Sequence, residues 1–428
     1  MASSNTADVI IIGGGVAGLS TAMQLAGRGA SVLVLERERL GNGSTGRAAG
    51  LLGQLRGNIE HTRMLIDGVA IVKVLEQIAG VEIFVQTGSL RVAETPERAA
   101  EIAGLVEMGK SIGFDIDHMP IDEVASRMPY MQTDDLLDAC YCPSDGHLQP
   151  AELAGAYLKI GKQRGVEYKT NTPVIDILLD AGRVRGVKTA EADYFAPVVV
   201  NAGGPWSYLN AELAETVLPT AAIGHYYLTT RPDPAQPVDR LSPAIRDREL
   251  RIYTRPESGG LIVGIYDAEP ELHNMRKLPI DFDMSRMKAA RDSIQVARLI
   301  DAAHQRFSWI DERTPMTITT GIMTFTPDAR PFCGKMPDID GLFHCSGFSG
   351  HGIVQSPAIG LIMSELILDE KSSYDVESIE ADRYFDMPGY LGRDEVEEKC
   401  VAMAGNYYGK VEQPEAVHST SSSFTSQH

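Results

Sequence analysis

The chain has 428 residues, 43% apolar and 23% charged, with a net charge of −19 and a pI near 5.0. This composition makes a globular body of roughly two to three domains, and its negative charge argues against partners that are nucleic acids or anionic membrane surfaces. No apolar run approaches the roughly 18 residues of a membrane span, and neither the five cysteines nor the ten histidines show a metal-ligand spacing, so no membrane span, no metal and reduced thiols are expected.

Residues 1–7 precede the first strand, too short for a signal or transit peptide, so the cytoplasm is the expected location. Residues 8–36 then carry a strand at 9–12, a helix over 17–27, and a second strand at 31–35 that ends on Glu36. Gly13, Gly15 and Gly18 set G-x-G-x-x-G between the first strand and the helix. In that pattern Gly13 makes the tight turn, Gly15 lets backbone approach a pyrophosphate, and Gly18 lets helix and strand pack closely. Val16 and Ala17 open the helix, whose free N–H groups and dipole favour phosphate. Glu36 follows Gly18 by 18 residues, where a carboxylate accepts hydrogen bonds from ribose hydroxyls. A dinucleotide site is the expectation, with Arg37 beside it.

After Glu36 a nicotinamide enzyme would pass to another strand–helix unit. Instead a small-residue loop runs from 41 to 53 and includes Ser44, Thr45, Arg47, Ala48 and Ala49. Its N–H groups and hydroxyls suit a second stretch of cofactor. The glycine motif followed by G-x-x-S-T-x-R resembles the glutathione-reductase-type FAD proteins of the D-amino acid oxidase superfamily. Val174 to the adenine, Ala202 and Gly203 in V-V-V-N-A-G-G-P-W, Gly321 before T-P-D, and Gly350, Gly352 and Ile353 in G-F-S-G-H-G-I complete the cofactor contacts that this resemblance implies. A strand at 342–345, a glycine loop at 347–352 and an amphipathic helix over 353–368 are expected there. That helix would aim its N-terminus at the flavin edge that gains charge on reduction.

Over residues 8–410 the nearest resemblance is to the FAD part of dimethylglycine and sarcosine dehydrogenases and oxidases, with the folate-binding half absent. That family reads S-T-W-H-A-A-G-L where this chain has S-T-G-R-A-A-G-L. Arg47 thus replaces the histidine that carries covalent flavin in the family. Gly321 stands where monomeric sarcosine oxidases use a cysteine. The implied FAD is non-covalent. The implied fold is α/β: a Rossmann FAD domain (8–84, 147–215 and 319–388) interleaved with an α+β substrate domain (85–146 and 216–318) whose sheet is mixed and largely antiparallel. Residues 389–418 form an extension resembling the connector to the folate half, and 419–428 a disordered tail. The helical period of 284–307 places Met287, Ala290, Ile294, Ala297, Ile300 and His304 near one face, read as core packing.

Amine oxidation needs a neutral nitrogen, and holding its proton near neutral pH is a task for histidine. His225 in G-H-Y-Y-L-T-T matches E-H-Q-Y-x-x-T of the family, and Tyr253 in R-I-Y-T-R matches L-Y-x-R. Both are catalytic candidates. Carboxylate recognition calls for an arginine fork, and Arg56, Arg251 and Arg255 are the candidates, since no arginine precedes T-P-D. The resemblance implies hydride transfer from the α-carbon of a secondary or tertiary amine of N-methyl or N-alkyl amino acid type to flavin N5, giving an imine that hydrolyses. A 2-hydroxy-acid dehydrogenase and a non-catalytic FAD-bearing subunit or assembly factor are the alternatives. Oxygen, a quinone or an electron-transfer protein would take the electrons; the apolar stretch 260–264 lacks the lysine of sarcosine oxidases, which favours a dehydrogenase. The sequence leaves the oligomeric state open, homo- or hetero-oligomer.

Overall fold

Val9–Ile12 and Val32–Leu35 are apolar at every position and buried on both faces, as central parallel strands require. The pleat sends Val9, Ile11 and Val34 to one face, against helices, and Ile10, Ile12, Leu33 and Leu35 to the other. The computed structural model describes residues 5–279 and 281–409. These strands centre a six-stranded sheet in the order Phe332–Lys335, Leu342–Ser346, Val198–Asn201, Val9–Ile12, Val32–Leu35, Glu167–Lys169. All its pairs are parallel except the edge strand Phe332–Lys335. The chain leaves Val9–Ile12 towards Val32–Leu35 on one side and returns at Val198–Asn201 on the other. That reversal of strand order opens a crevice at the strands' carboxyl ends.

The helices Val16–Gly27, Pro150–Gln163, Ile59–Ala79 and Gly352–Leu368 cover one face. The other face packs against an antiparallel ribbon in which Val174–Asp180 pairs with Arg183–Thr189. Gly352–Leu368 is buried nearly all round rather than amphipathic as expected, because it lies between Val16–Gly27 and Ile59–Ala79. Gly360 makes that closeness possible: a Cβ there would lie 2.1 Å from Ser20 Oγ and 2.8 Å from its carbonyl carbon. Pro357 takes one amide out of the helix, and the Ser356 hydroxyl donates instead to the Ile353 carbonyl at 3.2 Å.

A second, mixed sheet runs Leu272–His273, Ala221–Thr230, Gly260–Ile265, Ile252–Glu257, Ala244–Asp247, Ser89–Ala93, Asp138–Cys142, Asp117–His118, and Met316–Phe325 also pairs with Ala221–Thr230. Among its described pairs only Ala244–Asp247 with Ser89–Ala93 is parallel. Met316–Phe325 spans the border expected at 318/319 and pairs with Ala221–Thr230 over its whole length. The 284–307 region is not one helix. A short turn, Met284–Arg286, precedes the helix Ile294–Arg306, which Ser293 caps. Its core face is Val296, Leu299, Ile300 and Ala303, while Ile294 and His304 are exposed, so the face read from the sequence is rotated.

The extension folds back onto this sheet. Helix Arg393–Asn406 packs on Ala221–Thr230 and Met316–Phe325, and Val396, Cys400, Ala404 and Tyr408 join Tyr253, Tyr266 and Phe325 in one apolar cluster. Residues 410–418 and the expected tail at 419–428 lie outside the described residues. No helix among the described residues is long and apolar enough to cross a membrane.

Candidate active site

A cavity of about 510 Å³ runs from the crevice of the first sheet to the face of the second. At its first end Gly13 has φ +111°, and a Cβ there would lie 2.4 Å from the Ala202 carbonyl oxygen. A Cβ on Gly18 would lie 2.1 Å from the Gly13 carbonyl oxygen, so Gly18 shapes the turn from behind the cavity wall rather than lining it. Helix Val16–Gly27 starts at Gly15 with no side-chain cap and no acid in its first turn. Its N-terminus therefore faces the cavity with its dipole unneutralised, which suits a pyrophosphate. The Val16 N–H donates to Thr45 Oγ1 at 3.0 Å, tying the following loop to the turn.

Glu36 accepts from the Gly14 N–H at 2.7 Å through Oε2 and from the Glu38 N–H at 2.9 Å through Oε1. Burial raises its pKa against these bonds. Glu36 thus holds the turn as well, and its carboxylate keeps lone pairs for hydroxyl donors. The Arg37 guanidinium lies 4.2 Å from the Trp206 ring centroid. Ser44 Oγ donates to the Ile322 carbonyl at 2.5 Å and Arg47 to the Met284 carbonyl at 3.0 Å. A Cβ on Gly321 would stand 2.9 Å from Arg47 Cβ, so Gly321 and Arg47 face each other across the cavity wall. Ala48, Ala49, Val174, Ala202, Gly203, Gly350, Gly352 and Ile353 also border the cavity. An open helix N-terminus, a buried acid on a tight turn and a long cavity together fit a dinucleotide, FAD included.

The second end is built from rings. His225 Nε2 and the Tyr253 hydroxyl are 2.7 Å apart, their rings near-parallel with centroids at 5.7 Å. Tyr266 packs 5.2 Å from His225 and 4.6 Å from Tyr408. Gly264, paired with Tyr253, makes room for its ring: a Cβ there would lie 2.1 Å from Tyr253 Cζ. Burial pushes the His225 imidazole down to about 4 and the Tyr253 and Tyr266 phenols well above their usual range. All three groups are therefore neutral at pH 7. His351, before helix Gly352–Leu368, joins this end and its Nε2 lies 3.2 Å from the Tyr407 hydroxyl.

The three arginines put forward for substrate binding do not line the cavity. Arg251 donates to the Gly405 carbonyl. Arg255 is buried, donates to the Ala49 and Pro256 carbonyls and pairs with Glu257 at 2.7 Å. Arg56 donates to the Gly53 and Leu55 carbonyls at 2.7 and 2.9 Å. The backbone occupies each fork. Arg246 lines the cavity instead, together with Tyr266, His351 and Tyr408, none of them singled out from the sequence. Arg246 sits on a four-residue strand with no alternating pattern, and Tyr408 lies in the extension read as a connector. Only their topology brings them in.

The family model for FAD dependent oxidoreductases, DAO, matches residues 8–366. The chain is 29% identical over 393 residues to mitochondrial sarcosine dehydrogenase of Homo sapiens, covering 89% of this chain and 42% of that protein. It is 27% identical over 398 residues to the mitochondrial pyruvate dehydrogenase phosphatase regulatory subunit of Mus musculus, covering 88% and 43%. The chain thus spans less than half the length of these curated relatives. L-proline dehydrogenase from P. horikoshii has the same fold, with a TM-score of 0.78 at 23% identity over 89% of this chain and 98% of that one. The family match spans the glycine turn, the loop that follows it and most of both sheets, and the chain belongs to the DAO family of FAD-dependent oxidoreductases.

Proposed function

We propose that the protein oxidises a secondary or tertiary amine of the N-alkyl amino acid type. The supporting observation is the neutral His225–Tyr253 pair, 2.7 Å apart at the ring-lined end of the cavity. Among the described residues no Asp or Glu borders the cavity apart from Glu36 at the far end. An ammonium entering there loses water and gains no counter-charge, a cost of several kcal/mol. Cation–π attraction returns about 0.5–2 kcal/mol, which does not offset it. The site therefore favours the free amine, whose lone pair must be available when the α-C–H bond breaks. His225, too acidic to keep a proton at pH 7, relays to solvent the one that the amine gives up on binding, and Tyr253 orients its ring.

Bound FAD would supply the two-electron acceptor. The product imine then takes up water and splits into an amine and a carbonyl compound. Non-covalent FAD follows from Arg47 and Gly321, neither of which offers an attachment atom, and acid precipitation should release all the flavin. Residues Gly260–Ile265 contain no lysine near the site, which favours an acceptor other than oxygen. The 27% identity to a regulatory subunit supports a second reading, a non-catalytic FAD-bearing subunit. Anaerobic mixing of the holoprotein with amines and 2-hydroxy acids separates these. Bleaching by N-alkyl amino acids is expected. Bleaching by hydroxy acids alone, or by nothing, would overturn the proposal.

A further inference from the structure

Arg246 carries a charge with nothing to answer it. It lies on Ala244–Asp247, directly opposite Tyr253 on the neighbouring strand, so both side chains rise from the same face of the sheet. Tyr253 stands between it and His225. The Arg246 guanidinium borders the cavity, and it has neither a hydrogen bond nor an ion pair among the described residues. The nearby acids are engaged elsewhere. Asp247, the next residue, points to the other face and binds Arg306 at 2.8 Å. Asp145 accepts from Gln54 and from the Ser89 hydroxyl. On the other side Arg246 is paired in register with Arg91, which donates to the Leu55 carbonyl at 2.7 Å. This corner of the cavity is positive.

The guanidinium also has a built seat. A Cβ on Gly53 would lie 2.8 Å from both of its terminal nitrogens, so the fork rests flat against backbone that only glycine leaves open. A pre-placed planar fork in a half-closed cavity matches a carboxylate in geometry as well as charge. The FAD pyrophosphate is not the intended anion, because its cradle is the helix N-terminus at the opposite end.

We propose that Arg246 is the carboxylate-recognising residue of the site, taking the carboxylate of an amino-acid substrate whose nitrogen lies against His225. This deepens the amine reading and rests on it. The substrate class is then an N-alkylated amino acid rather than a simple amine.

Binding and turnover test it in the flavin-loaded protein. Acetate, titrated against the flavin absorption spectrum, should bind wild type and lose at least about tenfold in affinity in Arg246→Met, while acetamide binds both alike. Arg246→Lys, which keeps charge but not the fork, should fall between. KM for N-methylglycine should rise at least about tenfold in Arg246→Met, and oxidation of its amide should change little. Should Arg246→Met fail to fold, Gly53→Ala, which crowds the fork without altering charge, should weaken acetate binding severalfold. Unchanged acetate affinity in an Arg246→Met protein of normal melting temperature overturns the assignment. So does equal kcat/KM for N-methylglycine and its amide in wild type. Failure of every amine to reduce the flavin defeats the functional reading instead, and acetate binding still judges Arg246.

Discussion

At neutral pH His225 acts as an uncharged imidazole, because burial holds it near 4. His225→Ala should slow anaerobic flavin reduction about 10²–10⁴-fold at pH 7. The deficit should shrink at high pH, where free amine is already abundant. In wild type the rate should rise as the substrate ammonium loses its proton and show no step near the ordinary histidine value of about 6.5. Stopped-flow reduction across pH reads both. A stable His225→Ala protein with normal rates would remove the residue from the mechanism. At the other end, Gly15→Val should abolish FAD binding by filling the phosphate seat, where a Cβ already meets Thr45 Oγ1 at 3.3 Å. Glu36→Ala should weaken FAD more than loss of ribose contacts alone, since it frees two backbone N–H groups that Glu36 now holds. Bound flavin after gel filtration measures each. That Gly13, Gly15 and His225 would border one cavity was legible because local chain geometry or a short motif places them there. The arginines were not: a guanidinium's target depends on which carbonyl is nearest in space, and Arg56, Arg251 and Arg255 all found backbone.

Among elements, helix Gly352–Leu368 is buried on nearly all sides. Gly360→Val should destabilise the fold by about 3 kcal/mol, because both a side chain and the backbone of Ser20 stand in the way. Ser20→Gly should restore only part of that loss in urea unfolding, since the backbone carbon remains. Full recovery would show that the backbone yields. The strands at Val9–Ile12, Val32–Leu35 and Leu342–Ser346 followed from apolar runs beside glycine. Helix faces followed less well. Periodicity over 284–307 was broken by Asp283 and Ser293, each capping its own short turn or helix, and the burial of Gly352–Leu368 on all sides is decided by two neighbouring helices. The extension shows the same limit. Arg98 donates to the Tyr408 carbonyl at 2.6 Å and Arg251 to that of Gly405, so partners about 310 and 154 residues away fix where helix Arg393–Asn406 ends and where Tyr408 enters the cavity.

For the molecule as a whole, buried histidines set an acid limit. His147 is held down to about 4 by burial and by the charge of Arg255, and His344 to about 3 by burial. Unfolded, both return to about 6.5 and take up protons that the fold refuses. Their contribution to stability is therefore complete above about pH 6.5 and is lost as pH falls towards 4, at up to about 1.4 kcal/mol per pH unit for each. Urea unfolding at pH 7, 6 and 5 should show this decline, and His147→Gln should reduce its slope by one proton. A flat profile down to pH 5 would contradict the burial of these rings.

The meeting of Gly321 with Arg47 has a consequence for how such sites can evolve or be redesigned. The constraint runs one way: a cysteine at 321 would meet Arg47 Cβ at 2.9 Å, whereas a histidine at 47 keeps a Cβ that already fits against Gly321. The two are epistatic. A route to a flavin attached through residue 321 would have to pass through glycine at 47 or a shift of that loop first, and a double-mutant cycle on flavin retention should be far from additive.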